Sequence, residues 1–281
     1  MELKRIKVNV NELPDSWMLP DYKELRILPL GDIQYPETEM DRLKGYVKWA
    51  NRIEARVIGM GDYPDFESPS GRQRTAMKVG TGYDNEAKGI DRAAEHDVEE
   101  LAEILEPLTG RFYGLIRGHH WCQFSGDKGS SVTMLAERLK TENIGDCAML
   151  EIDFGKGLKA HIWAHHGTGS GMVSTSAMTR LEHMTKTFYS DVYLMGHQTK
   201  KGVSVIPWIY QDGAKTRGRN RYIVATGGFS PGYSVGSVDA WGEPAGSYVE
   251  KRMLVPVALG APLIMMRPMF DEGRVDYNVS V

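Results

Sequence analysis

Five short apolar stretches of this 281-residue chain run directly into an aspartate or a histidine. Leu28-Pro29-Leu30 leads into Gly31-Asp32-Ile33-Gln34, and Val57-Ile58-Gly59-Met60 into Gly61-Asp62-Tyr63. Gly114-Leu115-Ile116-Arg117 leads into Gly118-His119-His120, and Ile162-Trp163-Ala164 into His165-His166-Gly167. Val192-Tyr193-Leu194-Met195 leads into Gly196-His197-Gln198-Thr199. Five of the eight histidines stand at these exits. Carboxylate oxygen and neutral imidazole together, without thiolate, form a donor set for a divalent transition metal. Each motif alone has an ordinary reading. An Asp after a strand and a glycine is a turn former or helix cap, and a His-His pair can be one packed and one solvated ring. Recurrence of the same pattern at five successive exits favours convergence on one site.

The elements that would carry these residues alternate. Leu25–Leu30, Arg56–Met60, Arg111–Ile116 and Asp191–Met195 read as strands. Glu39–Arg52, Asn85–Leu105, Ser131–Lys140 and Ser174–Thr187 read as helices from their apolar spacing. Ala148–Phe154 and Leu158–Ala164 flank Gly155-Lys156-Gly157, a hairpin signal. Val203–Tyr210, Arg221–Ala225, Leu263–Met269 and Arg274–Ser280 make the last third β-rich, and Gly227–Gly246 reads as a long loop. Alternating strands and helices followed by strands predict a layered α/β fold, expected as a single domain over residues 1–281. In such folds ligands bind at the carboxyl ends of strands, where the five motifs stand.

The order of these motifs resembles that of the calcineurin-like metallophosphoesterases: Asp-x-His, Gly-Asp, Gly-Asn-His, an isolated His, then Gly-His-x-His. The likeness runs from about Gly31 to Thr199 and continues weakly into Ala225-Thr226-Gly227-Gly228-Phe229. The Gly118-His119-His120 variant, the His165-His166-Gly167 stretch and the segment around Tyr248 resemble phage and prophage members most. The resemblance implies a four-layer α/β/β/α sandwich with two mixed β-sheets and a centre of divalent metal ions at the strand ends.

Carried over position by position, the resemblance makes Asp62 the carboxylate that bridges two ions. One site would comprise Asp62, His119 (where the family has Asn), His166 and His197, with His165 as the alternative to His166 because strand alternation points the two rings apart. The other would comprise Asp32 and Asp62, with Gln34 and Thr199 standing where the family has histidines. One tight and one weaker site follow, with Mn²⁺ favoured and Fe, Zn²⁺ or Mg²⁺ as alternatives. His120 matches the family's catalytic histidine, which faces the leaving group. The implied activity is phosphoester hydrolysis through a metal-activated hydroxide.

Several features outside the motifs bear on the substrate. Gly167 and Gly169 belong to a glycine-rich turn before a helix, so their amides could cradle a phosphate, or the turn is simply flexible. Arg72 and Arg74 follow Asp62 in a loop and could reach a bound phosphate, unless they are only solvated. The hairpin-like stretch Thr199–Tyr222 carries six basic residues against the single carboxylate Asp212, read either as a contact for a nucleic-acid backbone beside the last motif or as a solvated tip. These features, with the phage-like resemblance, favour a phosphodiesterase acting on DNA or nucleotides. The alternatives are a phosphomonoesterase or nucleotide pyrophosphatase on the same centre, or a non-catalytic metal-bound scaffold.

Composition narrows the rest. A net charge of −3 excludes coating of nucleic acid by bulk charge. Two cysteines exclude a disulfide framework and favour a reducing compartment. The longest apolar run, Met253–Met266, is short and broken by Pro256, Gly260 and Pro262, so no membrane span is expected. With no apolar leader in Met1-Glu2-Leu3-Lys4-Arg5, the expected location is cytoplasmic.

Overall fold

The computed structural model describes residues 3–66, 83–124, 128–169, 173, 175–233, 236, 243–244, 246, 248–251, 253 and 255–281. Eleven strands among these form two mixed sheets. The first sheet contains Leu3–Lys7 (β1), Cys147–Asp153 (β5), Lys159–His165 (β6), Val192–Met195 (β7), Lys201–Asp212 (β8) and Lys215–Thr226 (β9), in the order β1-β5-β6-β7-β9-β8. The second contains Leu25–Leu30 (β2), Arg56–Gly59 (β3), Phe112–Leu115 (β4), Leu263–Met269 (β10) and Arg274–Ser280 (β11), in the order β11-β10-β2-β3-β4. The helices are Met40–Arg52 (α1), Tyr83–Leu105 (α2), Ser131–Arg138 (α3), Ser176–Thr185 (α4) and Tyr248–Lys251 (α5).

The apolar residues sort into layers as strand alternation requires. Ile27, Ile58, Met60, Ile264 and Met266 of the second sheet meet Leu150, Ile152, Ile162, Ala164, Leu194 and Val224 of the first, forming the core between the sheets. The other face of the second sheet packs on Leu43 and Val47 of α1, Val98 and Leu101 of α2, and Val132 and Leu135 of α3. The outer face of the first sheet, with Trp163, Tyr193 and Ile223, is covered by Ala177 and Leu181 of α4. The result is the expected α/β/β/α sandwich. Among the described residues no helix is long and apolar enough to cross a membrane.

β2, β3 and β4 run parallel, as do β6, β7 and β9. All five motif-bearing strand ends therefore emerge at one edge of the sandwich. The Pro29 ring is tolerated within β2 because β10 pairs only with Leu25–Ile27, and on the other side it is the Leu30 carbonyl that receives an N–H, from Met60 just past β3.

The main departures from the sequence reading lie at the ends. β1 adds a parallel strand beside β5 that its three basic residues, Lys4, Arg5 and Lys7, disguise. The pair Val203–Tyr210 and Arg221–Ala225 is in fact one hairpin with twelve paired positions, Lys201 opposite Thr226 through Asp212 opposite Lys215. Only Tyr222–Ala225 of β9 also pairs with β7, so the distal half projects beyond the sheet as a two-stranded arm. The predicted helix over Ser174–Thr187 is the shorter α4, and Ser174 itself lies outside the described residues.

Candidate metal centre

The loops after β2 and β3 lock onto each other through the backbone. Asp32 N–H donates to Gly61 O, and Ile33 and Gln34 N–H both donate to Asp62 O. Asp32 and Asp62 themselves adopt left-handed backbone conformations, with φ of 48° and 50°. Gln34, His197 and Thr199 do the same, at 55°, 63° and 48°. Non-glycine residues rarely accept this conformation, and its clustering here places strain where five motif residues converge.

Each carboxylate then organises a neighbouring loop. Asp62 Oδ1 accepts the N–H groups of His119 (2.6 Å) and His120 (2.9 Å), fixing the turn after β4. A side chain at Gly118 would bring a Cβ within 2.0 Å of that same oxygen, so glycine is required for this close approach. Asp32 Oδ2 accepts the N–H of His197 at 2.9 Å, joining the second sheet to the first.

Three imidazoles complete a quartet with Asp62. The ligand-type atoms of Asp62, His119, His166 and His197 all lie within 4.8 Å of one another. His166 is buried, and its Nδ1 lies 2.8 Å from Met60 O. A carbonyl only accepts, so Nδ1 carries a proton, and Nε2 faces Asp62 Oδ2 3.1 Å away. Although burial opposes it, the Asp62 and Asp32 carboxylates raise the His166 pKa to about 9, so that this ring is an imidazolium until a metal displaces its Nε2 proton. His119 Nδ1 and His197 Nδ1 face each other at 3.1 Å. Asp32 Oδ1 is buried without a protein hydrogen-bond partner. Ligand-type atoms thus converge on one point, an arrangement that could hold a shared cation. With metal–ligand bonds of about 2.1 Å, adjacent ligand atoms stand on the order of 3 Å apart, matching both separations.

The electrostatics suit ligation. Burial, reinforced by His166, lowers the pKa of His197 to about 4. Burial likewise lowers that of His119, so both rings are held neutral, the form that binds metal. Burial pushes the Asp32 carboxyl up to about 7, with His166 opposing and the nearby Asp62 adding to the rise.

His120 belongs to the same turn as His119 but engages a different group. Its Nδ1 lies 2.6 Å from Asp65 Oδ1, and the pair is partly open to solvent. The Asp65 carboxylate beside Nδ1 raises the His120 pKa above its ordinary value, against burial. Asp65 escapes a reading built on strand exits, although its place in Gly61-Asp62-Tyr63-Pro64-Asp65, one turn past Asp62, was an available signal.

The remaining candidates fall around the quartet. His165 Nδ1 accepts the Gly167 N–H at 2.7 Å, and its ring tilts over Trp163 on the α4 side of β6. Alternation therefore sends His166 into the quartet and His165 away from it. Gln34 and Thr199 each stand two residues beyond an organising residue, on the same loops as Asp32 and His197. A Cβ built on Gly228 would lie 3.3 Å from Thr199 Cγ2 and 3.0 Å from Asp32 Cβ, so these two side chains flank one strand-end glycine. Gly167 and Gly169 turn the chain with φ of 105° and 78°, and the Arg180 guanidinium covers Gly169. Arg72 and Arg74 lie outside the described residues.

The basic hairpin needs correction in two respects. It starts beside Thr199 but runs away from the centre, and eleven steps of ~3.4 Å put its tip roughly 37 Å from Lys201. Arg221 is no tip residue: it is buried, donates from Nη1 to Thr185 O at 2.8 Å and lies 3.7 Å over the Trp208 ring.

No family model matches the chain, and no curated protein matches it. Among solved structures it is similar to a single mutant of Vps29 from Entamoeba histolytica, with 15% identity, 91% of this chain and 98% of that one covered, and a TM-score of 0.37. A double mutant of the same protein aligns over the same shares with 14% identity and a TM-score of 0.36. An uncharacterized protein from Streptococcus pneumoniae, described as a predicted phosphoesterase, aligns over 91% of this chain and 98% of its own with 10% identity and a TM-score of 0.34.

Proposed function

We propose that this chain is a metal-dependent phosphoester hydrolase of the calcineurin-like type, acting on phosphodiesters of DNA or nucleotides. The observation that carries the reading is the convergence of Asp62, His119, His166 and His197 on one point, with donor atoms facing each other across about 3 Å. Divalent ions, Mn²⁺ foremost, would be held tightly by that quartet and more weakly by Asp32, Asp62, Gln34 and Thr199. When bound, they supply Lewis-acid polarisation of the phosphoryl group and a water acidic enough to ionise near neutral pH.

The chain's own residues do the rest. Asp62 holds the His119–His120 turn through two accepted N–H bonds, so ligand and acid are set by one carboxylate. Met60 O orients His166 through Nδ1, as a partner behind a ligand does. His120, with Asp65 on Nδ1, has Nε2 left to give a proton to the departing alkoxide. Asp65 keeps the imidazolium populated and fixes the ring, making it a positioning residue for the acid.

The test compares hydrolysis of bis-(p-nitrophenyl) phosphate and p-nitrophenyl phosphate by the full chain, with Mn²⁺ added. Mn²⁺-dependent cleavage that is faster on the diester, and lost in Asp62→Asn, is the expected result. Cleavage of neither ester with Mn²⁺, Zn²⁺, Fe²⁺ or Mg²⁺ overturns the proposal.

A further inference from the structure

We propose that the outward face of the β8–β9 arm is a binding platform for single-stranded nucleic acid, separate from the metal centre. Alternation along the hairpin puts Ile206, Trp208 and Tyr210 of β8 on one face with Arg217, Arg219 and Arg221 of β9, since Trp208 pairs with Arg219 and Tyr210 with Arg217. Ile206 packs against the core beneath α4, which identifies this as the α4 side of the sheet. Beyond α4 the described side chains of this face reach solvent: Trp208 is 41% exposed, and Lys215, Arg217 and Arg219 are exposed.

The face is built in two tiers. Arg221 is the buried tier, lying 3.7 Å over the Trp208 ring and 5.0 Å from Tyr189, so the aromatic platform is braced from below. Arg219 sits between Tyr189 (5.5 Å) and Tyr210 (5.7 Å), with Asp191 3.4 Å from its guanidinium. Lys215, Arg217 and Arg219 form the outer tier, where the only carboxylate in the hairpin sequence is Asp212. A pleated surface of aromatic rings interleaved with arginines offers unpaired bases a face to stack on and their phosphates a cation alongside. A duplex hides its base faces, and an acidic polypeptide has none, so the aromatic tier selects a single strand. Trp208 stands seven residue steps from Lys201, roughly 24 Å at ~3.4 Å per step, which places this contact well away from the metal quartet.

The experiment is fluorescence anisotropy of a labelled oligothymidylate, about 20 nucleotides long, with the full chain in EDTA. EDTA removes hydrolysis, so the outcome is independent of whether the metal centre is an active one. Binding is expected at about 50 mM salt, weakening linearly in log–log form as salt rises. Replacing Lys215 and Arg217 together by Ala should flatten that slope by about 1.4, at ~0.7 for each lost phosphate contact, whereas Arg217→Lys should keep it. Tyr210→Ala should weaken binding roughly tenfold through lost stacking. The proposal is overturned if the oligonucleotide does not bind, if the slope is unchanged in the double variant, if Tyr210→Ala binds as the parent does, or if a duplex or polyglutamate of equal charge binds as well as the single strand.

Discussion

Asp32, at the end of β2 in one sheet, accepts the backbone N–H of His197, at the end of β7 in the other, at 2.9 Å. That bond spans the sandwich at the edge where the quartet forms, so a residue outside the quartet fixes the position of one of its members. The other oxygen of Asp32 is buried with no protein hydrogen-bond partner, and burial raises the carboxyl pKa to about 7. Asp32→Asn keeps an acceptor for His197 but removes the negative charge. Metal affinity should fall by about 10–100-fold, as for loss of a partner that orients a ligand. Stability to urea should be unchanged or slightly increased, because a costly buried charge is gone. Isothermal titration with Mn²⁺ checks the first expectation and equilibrium unfolding the second. Parental affinity would show that Asp32 does not act on the centre.

Gly118 is where the fold leaves no room. Its missing Cβ would meet Asp62 Oδ1 at 2.0 Å and Asp62 N at 2.4 Å, so Gly118→Ala must displace backbone as well as side chain. A loss of roughly 1–3 kcal/mol in urea unfolding is expected. Gly145→Ala is the control: its φ of 79° is left-handed, which that of Gly118 is not, but nothing lies within 4 Å of the added carbon. That variant should lose only about 1–2 kcal/mol from backbone strain and retain its metal affinity, whereas Gly118→Ala should lose affinity as well. Equal metal binding by the two variants would remove the close approach from the account.

The Asp65–His120 pair predicts a dependence on the leaving group. His120→Ala should slow phenyl esters by about 10²–10⁴-fold, the usual reach of a positioned acid, and nitrophenyl esters much less. Asp65→Asn should show the same selectivity with a smaller loss and an unchanged metal content. In the double variant the losses should be far from additive, because the two residues act as a unit. Leaving-group-independent losses in steady-state kinetics would dissociate the pair from proton donation.

His161 supplies a pH dependence of stability remote from the quartet. Its hydrogen bond to Asp191, with help from Glu151, raises its pKa above the ordinary 6.5 despite burial. A group whose pKa is higher folded than unfolded stabilises the fold fully below the unfolded value, and that contribution is lost as pH rises through the folded one. The difference in unfolding free energy between the parent and His161→Asn should therefore be largest near pH 5.5 and shrink towards pH 8.5. A difference that grows with pH would reverse the assigned sign.

What the sequence made legible is what local rules govern. The five strand exits can be read because apolar runs ending in glycine and a polar donor define both the strand and its turn. The choice of His166 over His165 follows from alternation once β6 is seen to bury its Ala164 side against the other sheet. Asp65 could be read as a carboxylate near Asp62, but its pairing with His120 was not legible, because His120 comes from a different loop, held in place by Asp62. Arg221 reads as one more charge in a basic segment. Only the covering α4 carbonyl of Thr185 and the Trp208 ring make it a buried brace. The length of the hairpin was hidden for a related reason: its distal half has no buried face, so it lacks the apolar alternation that marks a strand.

The central claim is that Asp62, His119, His166 and His197 hold a metal ion, and metal analysis of dialysed protein tests it most directly. After loading with Mn²⁺ and exhaustive dialysis, one ion per chain should remain in the parent and none in His166→Ala. Gln34→His combined with Thr199→His should retain a second. A parent chain that keeps no ion, or a His166→Ala variant that keeps as much as the parent, would contradict the account. Two retained ions in the parent would contradict the expected weakness of the site at Gln34 and Thr199.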